Sequence, residues 1–172
     1  MDLSTSDFEL FGLPQRFAQE RSEIDARWKE LQRGAHPDKF AAQGAAAQRV
    51  ALQWSVRINE AYQRLKDPLR RAAYLCELAG APIDAHSNTA MPGDFLMEQM
   101  DWREALDEAD SEDELDALSE RVTSRRRAML ARIAELLDVE RDPRGAAQQV
   151  RALMFIERFA EDVEGRLAQL GQ

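Results

Sequence analysis

The 172-residue sequence has one cysteine, two histidines, eight glycines and six prolines. With Cys76 alone, no disulfide can close within the chain and no cysteine-built metal site can form, a usage that fits a reducing compartment. His36 and His86 share no spacing suggestive of metal ligation, and neither has the orienting third group, nucleophile or further ligands that a catalytic site needs. Aromatic residues make up 7% of the chain, so few are available to any core. No apolar run approaches the roughly 20 residues of a membrane span. No basic-plus-apolar leader opens the sequence, and a cytoplasmic location is expected. Glycine-rich phosphate loops, low-complexity tracts and internal repeats are missing too, so no cofactor is expected.

Charge is plentiful, at 32% of residues and a formal net of −9. It is unevenly placed: residues 1–75 hold 12 Lys+Arg against 10 Asp+Glu, net +2, while residues 76–172 hold 11 against 22, net −11. An acidic second half argues against nucleic acid, whose phosphates demand a concentrated basic face, and against an anionic membrane surface.

High charge with few β-branched runs reads as amphipathic helices packed into bundles. Phe8, Leu10, Phe11 and Leu13 form a short first element ending at Gly12 and Pro14. A second helix spans about 19–34, with Ile24, Trp28, Leu31 and Ala35 on one face and Lys29 and Arg33 on the solvated side. A third carries Val50, Trp54, Ile58, Ala61 and Leu65 and closes at Asp67-Pro68. Trp28 and Trp54 are expected on core stripes with their indole N–H groups at the edge. A further helix covers about 69–78, and Gly80-Ala81-Pro82 through Pro92-Gly93 form a connecting segment open to proteolysis. In the second half, a helix runs from Asp94 to about Ala109. Ser111 and Glu114 then fit a capping box before a long helix marked by Leu115, Leu118, Val122, Met129, Ile133 and Leu136. Asp142-Pro143 opens a last helix with Val150, Leu153, Ile156, Ala160, Val163, Leu167 and Leu170 on its core stripe. The fold class is all-α: a helical hairpin with flanking helices, then an antiparallel three-helix bundle.

Two stretches stand out. Ala35-His36-Pro37-Asp38-Lys39-Phe40 interrupts a helical pattern, because proline cannot continue the helix and biases His36 toward an extended backbone. Asp38 is placed to cap whatever follows. In the helix beginning at Asp94, a wheel of about 100° per residue puts Phe95, Trp102, Leu106 and Ala109 in one narrow arc. Leu96, Met97 and Met100 fall on a second arc, bordered by Asp101, Glu104 and Glu108. Phe155 on the last helix also lies off its core stripe. An adaptable Met-Leu-Phe patch ringed by carboxylates suits a partner surface.

A His36-Pro37-Asp38 corner between amphipathic helices, with Ile58-Asn59-Glu60-Ala61-Tyr62 and Asp67-Pro68-Leu69-Arg70-Arg71-Ala72-Ala73-Tyr74 after it, resembles the J domain of co-chaperones that stimulate 70 kDa heat-shock ATPases. The wording His36-Pro37-Asp38-Lys39-Phe40 together with Phe95-Leu96-Met97-Glu98-Gln99 is similar to the HscB family of iron–sulfur cluster assembly, across essentially the whole chain. The resemblance implies a J domain at 1–75, a connecting segment at 76–89 and a three-helix bundle at 90–172. It implies that His36, Pro37, Asp38, Lys39, Lys29 and Arg33 dock on an HscA-type ATPase. It also implies that Leu96, Met97, Met100, Asp101, Glu104, Glu108 and Phe155 hold an IscU-type scaffold protein. Asp25 and Glu30 stand where generic J domains carry positive residues, which points to a dedicated ATPase partner. The protein itself is expected to be a monomer without catalytic residues. The alternative keeps the J domain and makes the bundle a general holder of unfolded clients.

Overall fold

A computed structural model describes residues 2–171, and all regular elements among them are helical. The all-α class therefore holds. The chain divides into two compact units, Met1–Leu75 and Cys76–Gln172.

The first unit opens with α1 (Asp7–Phe11), capped by Ser6, whose hydroxyl accepts the Glu9 N–H at 3.2 Å. It ends at Gly12, whose φ of 63° is open to glycine at no steric cost and turns its amide back onto the carbonyl of Glu9. Next come α2 (Arg21–Ala35), a 3₁₀ segment (Pro37–Gln43) and α3 (Ala45–Lys66). Gly44 separates the last two at φ 98°, ψ 172°, a glycine region of the backbone. Ile24, Ile58, Ala61 and Leu65 are fully enclosed with Phe8 and Phe11. Burying a side chain of this size contributes about 1.5 to 3 kcal/mol. Toward the corner the stripe loosens: Leu31 and Trp54 are half-buried, and Val50, expected inside, is 52% exposed. The cause is an open apolar hollow of about 590 Å³ lined by Leu31, Phe40, Val50 and Trp54.

Asp7 ties this unit together. Its carboxylate has no exposed surface; it forms an ion pair with Arg57, whose Nη1 stands 2.8 Å away, and accepts from Arg64 Nε at 2.6 Å and Arg64 Nη2 at 2.9 Å. Its backbone N–H donates to the Tyr74 hydroxyl on α4 (Pro68–Leu78) at 3.0 Å. The turn into α4 is fixed by Asp67, whose carboxylate accepts the Leu69 N–H at 3.1 Å.

The second unit contains α5 (Gly93–Glu108), α6 (Glu112–Ala134), a π turn (Glu135–Val139) and α7 (Pro143–Leu170). Ser111 accepts the Glu114 N–H at 3.2 Å, but the Glu114 carboxylate reaches the amide of Asp110 rather than that of Ser111, so the box is displaced by one residue. Asp142 caps α7 by accepting the Gly145 N–H at 3.0 Å. On α7 the core is broader than one stripe. Phe159 is 1% exposed, whereas Ala160 and Leu167 are half-buried and Leu170 is 47% exposed. The Arg166 guanidinium donates to the carbonyls of Leu106 and Ala109 at 3.1 and 2.8 Å, so residues past it run beyond the end of α5.

Residues 76–89 carry the last turn of α4 and a loop pinned from α7. The buried Arg151 side chain donates to the carbonyls of Ile83 at 2.9 Å, Ala90 at 3.1 Å and Pro82 at 3.4 Å. Cys76 is fully buried, and burial pushes its thiol up to about 11.

Candidate functional site

Two surfaces, one in each unit, carry the residues singled out above. In the first unit, α2 stops at Ala35 and His36 turns extended at φ −60°, ψ 130°, as a residue before proline must. Pro37 occupies the first 3₁₀ position, where its missing N–H costs nothing. The capping role differs from the expectation. His36 Nδ1 accepts the Asp38 N–H at 3.2 Å, and the Asp38 carboxylate, 92% exposed, stands 3.6 Å from that nitrogen. The intervening 3₁₀ segment moves the start of α3 to Ala45, beyond the reach of Asp38 as a cap. With Nδ1 accepting, a neutral His36 carries its proton on Nε2.

Lys29, Arg33, His36 and Lys39 line one open hollow of about 500 Å³ with Trp28 and Gln32. Three of these four side chains are cations whatever the state of the imidazole, so the hollow is suited to an acidic surface. Pro37 and Asp38 lie on the adjoining corner. At the far end of α2, Asp25 accepts from Arg21 Nε at 2.9 Å and from the Tyr62 hydroxyl at 2.8 Å. The Arg21 bond, then the Tyr62 bond, hold its carboxyl below the usual carboxylate range.

In the second unit α5 has two apolar faces. Phe95, Trp102, Leu106 and Ala109 are buried, while Leu96, Met97 and Met100 are 48%, 66% and 67% exposed. An open hollow of about 760 Å³ beside them is lined by Leu96, Gln99, Met100, Arg103, Glu104, Asp107, Glu108 and Phe155. Leu96, Met100, Glu104, Glu108 and Phe155 thus share one surface. Met97 and Asp101 are exposed on the same helix but do not line the hollow.

Phe155 corrects the expectation that it lies clear of the core. It is half-buried, packs edge-on against Phe95 at 5.7 Å between centroids and stacks on Phe159 at 6.0 Å. Its ring is the floor of the hollow and part of the aromatic cluster beneath it. The sequence reading missed Gln99, Arg103 and Asp107. On the helical wheel Asp107 falls at about 20° from Leu96, between it and Met100, and was there to be found. Gln99 and Arg103 sit on the border facing α7, which the wheel of one helix cannot distinguish from the opposite border. The Arg103 guanidinium lies over Phe155 and Phe159, at 5.8 and 5.7 Å from the ring centres, and 3.7 Å from Asp162.

Among the described residues, no group of three or more His, Cys, Asp or Glu side chains is placed to hold a metal ion. No described helix is long and apolar enough to cross a membrane.

Comparison with known proteins agrees with this geometry. The sequence matches the family described as HSCB C-terminal oligomerisation domain over residues 91–164. It is 47% identical to a co-chaperone protein HscB homolog of Burkholderia thailandensis, covering 99% of this chain and 98% of that protein. Chaperone HscB from Vibrio cholerae superposes with a TM-score of 0.82 at 39% identity, covering 96% and 99% of the two chains. The human co-chaperone HscB shares the fold, with a TM-score of 0.88 at 24% identity and coverage of 96% and 84%.

Proposed function

The chain belongs to the HscB family of co-chaperones, and from that premise we propose that it couples two partners in iron–sulfur cluster assembly. Residues 1–75 act as the J domain. They dock the hollow of Lys29, Arg33, His36 and Lys39, with Pro37 and Asp38, onto an HscA-type 70 kDa ATPase of the cytoplasm and raise its rate of hydrolysis. The bundle at 90–172 binds an IscU-type scaffold through Leu96, Met97, Met100 and Phe155, with Asp101, Glu104 and Glu108 on the rim, and delivers it to the same ATPase.

The observation that carries this reading is the second apolar face of α5. A helix that only packed into its bundle would not leave one leucine and two methionines in water beside a half-buried ring. The carboxylates around them select a basic partner and disfavour a second copy of the same acidic strip.

Two measurements test the reading together. His36→Gln and Asp38→Asn should each abolish ATPase stimulation while the melting temperature stays within a few degrees, since both side chains are exposed. Replacing Leu96, Met97 and Met100 together by Ala should weaken scaffold binding in calorimetry by several kcal/mol, at about 1 to 2 kcal/mol per anchor. Stimulation in the absence of scaffold should survive that change. Full stimulation by Asp38→Asn, or undiminished scaffold affinity in the triple variant, overturns the corresponding half.

A further inference from the structure

The basic hollow on the first unit rests on a set of hydrogen bonds that the proposed docking does not itself use. The Trp28 Nε1–H donates to Asn59 Oδ1 at 2.9 Å, and Gln32 Nε2 donates to the same oxygen at 2.6 Å. Gln32 Nε2 also donates to the Ser55 carbonyl at 3.1 Å, while the Ser55 hydroxyl donates to Gln32 Oε1 at 2.8 Å. Trp28 stacks on Tyr62 at 4.6 Å, and Tyr62 in turn donates to Asp25.

These contacts define a register. Asp25 meets Tyr62, Trp28 meets Asn59 and Gln32 meets Ser55. Each step along α2, three residues and then four, is matched by an equal step back along α3. Apolar packing is non-directional and tolerates small slides of one helix on another, especially at the corner end where Leu31 and Trp54 border an open hollow. Hydrogen bonds of this geometry do not. Gln32 lies between Lys29 and Arg33 on α2, and Trp28 and Gln32 line the hollow with both cations and with His36.

We infer that Gln32 and Asn59 are positioning residues for the chaperone-docking surface: they lock the register of α2 on α3 and so hold Lys29, Arg33 and His36 in one arrangement. The inference rests on the docking role proposed above. It extends the site to two neutral side chains, of which Gln32 lines the hollow and Asn59 lies outside its lining.

The donor and acceptor pattern supplies a charge-matched test. Asn59 is used only as an acceptor, so Asn59→Asp keeps both bonds. Gln32 uses both ends, so Gln32→Glu turns a carboxylate oxygen toward Asn59 Oδ1 and the Ser55 carbonyl. Flipping the Asn59 amide to satisfy that carboxylate turns its N–H₂ toward the Trp28 donor. Both variants add one negative charge near the same face. ATPase stimulation should be titrated with wild type, Asn59→Asp, Asn59→Leu and Gln32→Glu, with thermal melts alongside. Gln32→Glu and Asn59→Leu should raise the half-saturating concentration by roughly tenfold, a loss of 1.4 kcal/mol in docking. Their plateau should remain, because the His36–Asp38 corner is built from its own local bond. Asn59→Asp should stay within about twofold of wild type. Equal impairment by Asn59→Asp and Gln32→Glu would reduce the effect to charge and overturn the inference, as would no impairment by Gln32→Glu. If Asn59→Leu fails to fold, the charge-matched pair still decides. No stimulation by wild type would instead remove the docking role.

Discussion

A carboxylate without exposed surface must be accompanied by its counter-charges, and Asp7 is met by two guanidiniums from α3. Asp7→Ala should cost about 3 to 5 kcal/mol, toward the lower end because Arg64 is 38% exposed and regains some water. An unchanged urea midpoint would contradict it. Nothing local in the sequence marks Asp7, which reads as an ordinary acid in a first helical turn; its partners lie some fifty residues away. Asp25 offers a pH test. Because Arg21 and Tyr62 hold its folded-state carboxyl below the ordinary value of 3.8, its contribution to stability is present above that value and lost as pH falls through the lower folded one. The stability gap between wild type and Asp25→Asn should therefore be constant near neutrality and close under acid. A gap that widened on acidification would reverse the assignment. The corner shows the limit of reading a residue type by itself. Aspartate is the better known cap, yet here the imidazole accepts the amide and the aspartate faces solvent.

A helix that buries one narrow arc was legible from periodicity, and one that buries a broader arc was read in part. The buried arc of α5 matched the wheel because its other face meets nothing, and that contrast is what exposed the candidate site. On α7 the stripe of Val150, Leu153, Ile156 and Val163 is accompanied by Phe155 and Phe159, which meet Phe95 and Trp102 of α5. A single-stripe reading therefore took the half-buried Ala160 and Leu167 as core and passed over Phe159. The loop at 82–90 was read from its prolines and small residues as open, without foreseeing that Arg151 on α7 holds three of its carbonyls. Three bonds from one guanidinium are worth at least about 1.5 kcal/mol together. Arg151→Ala should accordingly raise subtilisin cleavage within 82–90 by roughly tenfold under native conditions. Cleavage as slow as in wild type would mean that the loop is held by something other than these bonds.

For the molecule as a whole, the charge split at residue 75 is a property of composition and coincides with the division into two compact units, whereas the proline- and glycine-rich stretch at 80–93 lies inside the second unit. The proposed division of labour has a direct check in a fragment of residues 1–78, which keeps α4 complete. It should stimulate the ATPase alone as the full chain does, within about twofold, yet lose any extra stimulation conferred by the scaffold. Scaffold-dependent stimulation equal to that of the intact chain would refute the division.

Cys76 gives the protein an internal counter of its own opening events. A thiolate is the species that reacts with disulfide reagents, and a thiol that is both enclosed and pushed up to about 11 offers almost none at neutral pH. Labelling must then wait for molecules in which the packing that encloses Cys76 has opened, where the ordinary thiol acidity returns. As the chain has no other sulfhydryl to compete, the rate of colour release from an aromatic disulfide tracks the population of that opened form when reclosing outpaces reaction, without any engineered probe.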